Sequence, residues 1–553
     1  PPKFEFRRIY NCSLRISYIT QAKTVEIMPN SLDLDKLSDF VEEWWDKSAL
    51  PSLCEFVEIP ALSPSFDSEW EANGYLDAAV NTFIAWTRSL PLKGLTVSVH
   101  RLKNRSPLLL VKIEGDEDGE VLFYSHLDKQ PEATGWSEGK GPWKPVIEDG
   151  WLFGRGSVDD GYGGYAGILS VLALQDQGVP HPTCRFLIET GEESGSPDLS
   201  FYLDELESVL GVPDLVIVLD TGGIDYDRLW ITESLRGIVA GTLSVKVSSV
   251  GVHSGHGSGV MPSSFRLARQ LLSRIEDENT GEIKPEWLHI EITDKMKDQA
   301  KKIVDMNSES VDDFPLLKGV EKQVKDPLDI FITMNLAPSL SIIGADGIPS
   351  IQDAGNVLRT NTDLKVSIRT PPGISADEVA KKVQALLEAN PPNGAHVSAE
   401  MTEVADGFLS PELPEKLSDM LTESGKKFYG NEPMSLFIGG TIPVMAMLQS
   451  RYPNSKFIIT GAGGPGGNAH GPDEKLHIPT AKRVTKCMAT AVASVVGNGP
   501  FEPEEIITFT GKDSTDPDED RLEYYWDFDS SDNSNDNKMG DMTNNGRITH
   551  SYS

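Results

Sequence analysis

Five short segments concentrate imidazole and carboxylate groups where predicted strands end. His126 and Asp128 follow the apolar run EVLFYS. Asp159 and Asp160 stand in GRGSVDDGYGG, between a strand and a helix. Glu192 and Glu193 follow CRFLIE, Asp220 ends VIVLD, and His470 lies in GAGGPGGNAHGPDEKLH. Each segment alone is weak. HxD pairs are common, acidic pairs usually form solvated turns, and the glycine loop lacks the GxxxxGK[ST] pattern of a phosphate cradle. Together they have a chemical logic. A neutral imidazole can bind a cation while a carboxylate two residues on holds its other nitrogen. A carboxylate can bridge two cations, and in an adjacent acidic pair one side chain can ligate while the other takes a proton from water. His126, Asp159 and Asp220 would surround one ion, and Asp159, Glu193 and His470 a second. Nitrogen and oxygen donors without thiolate suit two Zn²⁺, with Mn²⁺ or Co²⁺ as alternatives.

The elements that must position these groups alternate. Strands are predicted at 108–113, 120–125, 184–189 and 214–219, and helices at 32–58, 161–177 and 198–210. That order predicts an α/β domain with a mainly parallel sheet, whose ligands gather beyond the strand carboxyl ends. After Arg236 the pattern changes. GIVAGTLSVKVSSV alternates apolar and polar residues, as a half-exposed strand does. A helix over 262–276, a charged stretch over 280–325, strands near 329–335 and 363–369, and a helix over 375–389 suggest an inserted α+β domain. The first pattern resumes with a strand at 455–460 and a helix at 479–496. The implied boundaries are an N-terminal extension at 1–27, catalytic halves at 28–235 and 391–499, the insertion at 236–390, and a tail at 500–553.

Composition excludes whole classes. The 553 residues are 39% hydrophobic and 24% charged, with 50 basic and 84 acidic side chains and a net charge of −34. That apolar share builds real cores, and no run of about 18 apolar residues predicts a membrane helix. The acidity argues against nucleic acid and anionic membranes as partners. Cys12, Cys54, Cys184 and Cys487 form no CxxC pair and read as reduced residues, in keeping with a cytoplasmic location. Residues 1–27 do not read as a complete signal peptide.

The stretches SHLDKQP, WLFGRGSVDDG, ETGEESGS, VLDTGG, VHSGHGSG, IGGTIPV and NAHGPDEKL, in this order, resemble the M20 family of metallopeptidases, in its carnosine dipeptidase-like branch. The resemblance spans roughly 35–497. It implies a zinc-peptidase-like fold with an inserted dimerisation or lid domain, a homodimer, and two zinc ions per subunit. His126 and Asp220 would be terminal ligands of one zinc, Asp159 the bridge, and Glu193 and His470 the ligands of the other. Glu192 matches the general base acting on a bridging water, and Asp128 the carboxylate behind His126. A cis Asp159–Asp160 peptide is expected. His253 would reach the partner's site and steady an oxyanion; His256 reads as a surface residue. Gly439, Gly440 and Thr441 would receive the substrate's terminal carboxylate, where related dipeptidases carry Ser instead of Thr, with Arg359 assisting. The implied activity is hydrolysis of dipeptides or short peptides. The alternatives are deacylation of N-acyl amino acids and a non-catalytic binding protein. The tail, through KDSTDPDEDRLEYYWDFDSSD and THSYS, resembles the start of a PKD-type β-sandwich, which would suit a secreted protein.

Overall fold

The central sheet explains the apolar runs. In the computed structural model its order is Leu95–His100, Leu108–Ile113, Pro182–Glu189, Glu117–His126, Leu215–Val218, Lys456–Ile459. The first two pairings are antiparallel and the last three parallel. Val121 and Phe123 enter one hydrophobic cluster, while Leu122 and Tyr124 enter the cluster on the opposite face. A strand covered on both faces carries no polar alternation. Helices Tyr162–Gln177 and Ile478–Val495 supply one cover, and Leu199–Glu205 and Pro443–Arg451 the other. The turn GDEDG joins Leu108–Ile113 to Glu117–His126, yet these strands are not neighbours. Pro182–Glu189 lies between them. The four parallel strands end on one edge, which carries His126 and the segments leading to Glu192 and Asp220.

A second, antiparallel sheet has the order Ser339–Asp346, Asn361–Thr370, Gly237–Lys246, His396–Ala405. Helices Ser264–Leu272 and Ala376–Glu388 cover it with Leu267, Leu271, Val379 and Val383. Its last strand begins after residue 390, so the inserted sheet runs past the boundary predicted there.

Residues 329–335 are helical and not a strand. Asp326 accepts the N–H groups of Leu328 and Asp329, and Pro327 occupies the first turn of Pro327–Asn335. Its apolar composition mimics a strand. Ile330 and Phe331 are buried instead against Trp230, Phe437 and the helix Asp294–Met306. That second helix lies inside the charged stretch, where no element was predicted.

The structure describes residues 32–306 and 314–495, and two short strands near the C-terminus. Those strands, Ile507–Thr510 and Arg547–His550, pair antiparallel. The extension 1–27 and the PKD-like stretch with its aromatic cluster at 524–528 lie outside the described residues. Among the described residues no helix is long and apolar enough to cross a membrane.

Candidate metal centre

His126 is the last residue of its strand and is fully buried. The N–H of Leu127 donates to Glu189 O, which continues the ladder one step past it. The Nδ1 of His126 lies 3.1 Å from the backbone oxygen of Asp128. A proton on Nδ1 leaves the Nε2 lone pair free. Nε2 faces Asp159 Oδ1 at 3.3 Å, Asp220 Oδ2 at 3.9 Å and Glu192 Oε2 at 4.0 Å.

The Asp128 carboxylate stands behind the ring, 3.5 Å from Nδ1, and it also serves the next loop. Oδ1 accepts the N–H of Glu192 and Oδ2 that of Glu193. The side chain therefore fixes the acidic turn, and together with the Asp128 main chain it faces the imidazole Nδ1.

Asp159 sits just before the helix Tyr162–Gln177, and its bond to Asp160 is cis. Its second oxygen lies 2.9 Å from His470 Nε2, which is 3.2 Å from Glu193 Oε2. The two oxygens of Asp159 thus face two different histidines. Donor atoms of His126, Asp159 and Asp220 lie within 4.8 Å of one another, as do those of Asp159, Glu193 and His470.

His470 is held in the left-handed region, at φ 64°. Such backbone is uncommon for a residue with a side chain and clusters at functional sites. The glycines before it serve backbone contact. Asp220 bridges to Gly461, where a side-chain carbon would stand 1.9 Å from the Thr221 oxygen.

Crowding sets the electrostatics. Burial pushes the Glu192 carboxyl up to about 8; Glu193, Asp128 and Asp159 add to this and His126 opposes it. Burial, Asp159, Asp160 and Glu192 raise Asp220 well above the usual carboxylate range against the pull of His126. Asp159 and Glu193 lift the His470 imidazole to about 10. Burial lowers His126, but Asp128 and Asp159 outweigh it and the net shift is upward. Among the described residues buried His126 Nε2 has no hydrogen-bond partner, and the carboxylate oxygens of Asp159 and Asp220 face it. Converging anions, a free imidazole nitrogen and no sulfur among the donors fit divalent cations, which supply the missing positive charge.

Other predicted residues lie apart from the clusters. His253 is exposed on the short strand Val252–His253, and its Nδ1 accepts the Gly255 N–H. His256 is also exposed. At the Gly439–Gly440–Thr441 turn, the Thr441 hydroxyl donates to Arg236 O and accepts from Arg369 Nη1 at 2.7 Å. Arg359 does not join this turn. It donates to Gly347 O, just beyond the strand Val357–Leu358 that pairs with Val252–His253. Arg369, one residue before the end of its strand Asn361–Thr370, meets Thr441 instead, a contact that spacing alone does not reveal.

Sequence reasoning missed two further supports. Gln130 Nε2 donates to Glu193 Oε2 at 2.7 Å. Its place in SHLDKQP was the only signal. Glu189 is buried and accepts from the Tyr124 and Ser196 hydroxyls, with burial pushing its carboxyl up to about 7.

The model of peptidase family M20/M25/M40 matches residues 122–494. The chain is 25% identical over 395 residues to a cysteinylglycine-S-conjugate dipeptidase of Corynebacterium striatum, covering 70% of this chain and 84% of that one. It is 24% identical over 484 residues to a Cys-Gly metallodipeptidase of Schizosaccharomyces pombe, covering 85% and 100%. Among solved structures, the dipeptidase Dug1p from Saccharomyces cerevisiae superimposes with a TM-score of 0.65 at 23% identity, over 86% of this chain and all of that one.

Proposed function

The chain belongs to peptidase family M20/M25/M40, and from that membership we propose a two-zinc dipeptidase acting on dipeptides or short peptides with a free terminal carboxylate. The observation that carries this reading is Asp159, whose two oxygens face His126 and His470 in two donor clusters. His126 and Asp220 would hold one cation, Glu193 and His470 the other, with Asp159 between them. Two divalent cations held there, Zn²⁺ with Mn²⁺ or Co²⁺ as substitutes, would supply Lewis-acid chemistry toward the scissile carbonyl and a bound water.

The chain's own groups do the rest. Glu192 takes the proton of the attacking water and passes it to the leaving amine. Asp128 keeps Glu192 and Glu193 in place through their N–H groups. Arg369 and Thr441 receive the substrate's terminal carboxylate beside the helix start at Pro443. His253 of the partner subunit steadies the oxyanion in a homodimer. Exposed Ile342 and Ile343 on the edge strand Ser339–Asp346 support a second copy docking on the inserted sheet. Free Cys54, Cys184 and Cys487 support a reducing, cytoplasmic setting.

Glu192→Ala tests the reading. The variant keeps its metals and loses turnover on a panel of dipeptides. Normal turnover rejects the assignment, and faster cleavage of N-acyl amino acids than of dipeptides by the unmodified chain makes it a deacylase. Heterodimers of Glu192→Ala and His253→Ala subunits regain activity if His253 acts across the interface.

A further inference from the structure

Arg155 and Glu474 form an ion pair whose side chains are 1% and 0% exposed. Such a pair is favourable only when its remaining donors and acceptors are satisfied. Here they are, and the partners share a theme. Arg155 Nε donates to Pro131 O and Nη2 to Gly471 O. Glu474 Oε1 accepts the N–H of Gly156 at 2.9 Å and that of Val158 at 3.4 Å. The Gly154 N–H donates to Glu474 O.

Three loops are knotted by this one pair, and all three feed the same cluster. Pro131 follows Gln130, whose amide holds Glu193. Gly156 and Val158 lead into Asp159, and Gly471 follows His470. The other cluster shares Asp159, but its remaining ligands are anchored differently. His126 ends a strand and Asp220 lies two residues past one, where the central sheet's ladders fix the backbone. His470 has no ladder under it, only an irregular turn in which Asn468, His470 and Asp473 all take positive φ.

We infer that Arg155 and Glu474 are positioning residues chiefly for the Asp159–Glu193–His470 cation, and that the other cation, which shares only Asp159 with it, depends on them less. The inference rests on the two-cation reading. Removing the pair frees Gly471 from Pro131 and the 156–158 amides from Glu474, so three ligand loops lose their common register.

The test is metal stoichiometry and chelator competition on the whole chain, beside thermal melting of the metal-free protein. The unmodified chain binds two ions. Glu474→Gln, close in shape, and Arg155→Met weaken one ion at least about tenfold more than the other. The double variant Arg155→Met with Glu474→Met regains melting temperature over the single variants, because no buried charge stands alone. Its second ion stays weak. A purely structural pair would give a different result, with both ions weakening together in step with melting, or with affinity recovering in the double variant. Either result overturns the inference, as does unchanged binding of both ions by Glu474→Gln. An unmodified chain that holds no ion pair removes the premise instead, which the first measurement reveals before any variant is read.

Discussion

The carboxylate of Asp128 accepts the backbone N–H of Glu192 at 3.1 Å, and its other oxygen takes the N–H of Glu193. One side chain thereby sets where the proposed base and the neighbouring ligand start. Asp128→Asn keeps the shape but turns an NH₂ toward one of those N–H donors. The expected result is a folded protein with kcat lowered roughly 10–100-fold. Steady-state kinetics on a dipeptide check this, and unchanged kcat contradicts it.

Arg369 and Arg359 separate by their contacts. Arg369 meets Thr441, and Arg359 meets Gly347 O. Arg369→Ala raises KM about tenfold or more, as expected for losing a charge-assisted hydrogen bond. Arg359→Ala leaves KM for the same dipeptide within about twofold, a surface substitution by this account. A larger KM effect from Arg359 than from Arg369 reverses the assignment.

Much of the centre was legible because its residues end apolar strands, and strand ends in parallel sheets converge. His126, Asp159, Glu193, Asp220 and His470 stand out by type and by the runs before them. Side-chain partners were less legible. Nothing in HLD says that the Asp128 backbone oxygen also reaches the ring nitrogen, or that its carboxylate caps the Glu192 and Glu193 amides. The register that brings Arg369 to Thr441 is tertiary. Residues 329–335 misled because Ile330, Phe331 and Ile332 have strand-like composition, while the Asp326 cap and Pro327 decide for helix. Arg155 precedes the DD pair and Glu474 follows His470, but their meeting across 319 positions leaves no local trace.

Lys129 Nζ donates to Phe56 O, Val57 O and Ile59 O at the end of the helix Leu50–Val57. Lys129→Met removes three hydrogen bonds from a buried amine and costs about 3 kcal/mol of stability. Urea denaturation of the metal-free variant checks this; a midpoint equal to that of the unmodified chain contradicts it.

Burial, with Glu58 and Glu55 beside it, pushes the Cys54 thiol from 9.0 up to about 11. Thiolate, not thiol, reacts with alkylating agents. At neutral pH the native protein carries roughly a hundredfold less thiolate at this position than an ordinary cysteine. Iodoacetamide labelling, mapped by mass spectrometry, is expected to be slow at Cys54 until denaturant is added. Labelling at the rate of a free thiol contradicts this environment.

The central claim is that one carboxylate, Asp159, serves two cation sites. Counting bound divalent metal per chain by inductively coupled plasma mass spectrometry tests it most directly, on the unmodified protein, Asp220→Ala and Asp159→Ala. The account predicts two ions, one ion, and loss of both. Two ions retained by Asp159→Ala, or none bound by the unmodified chain, contradicts it.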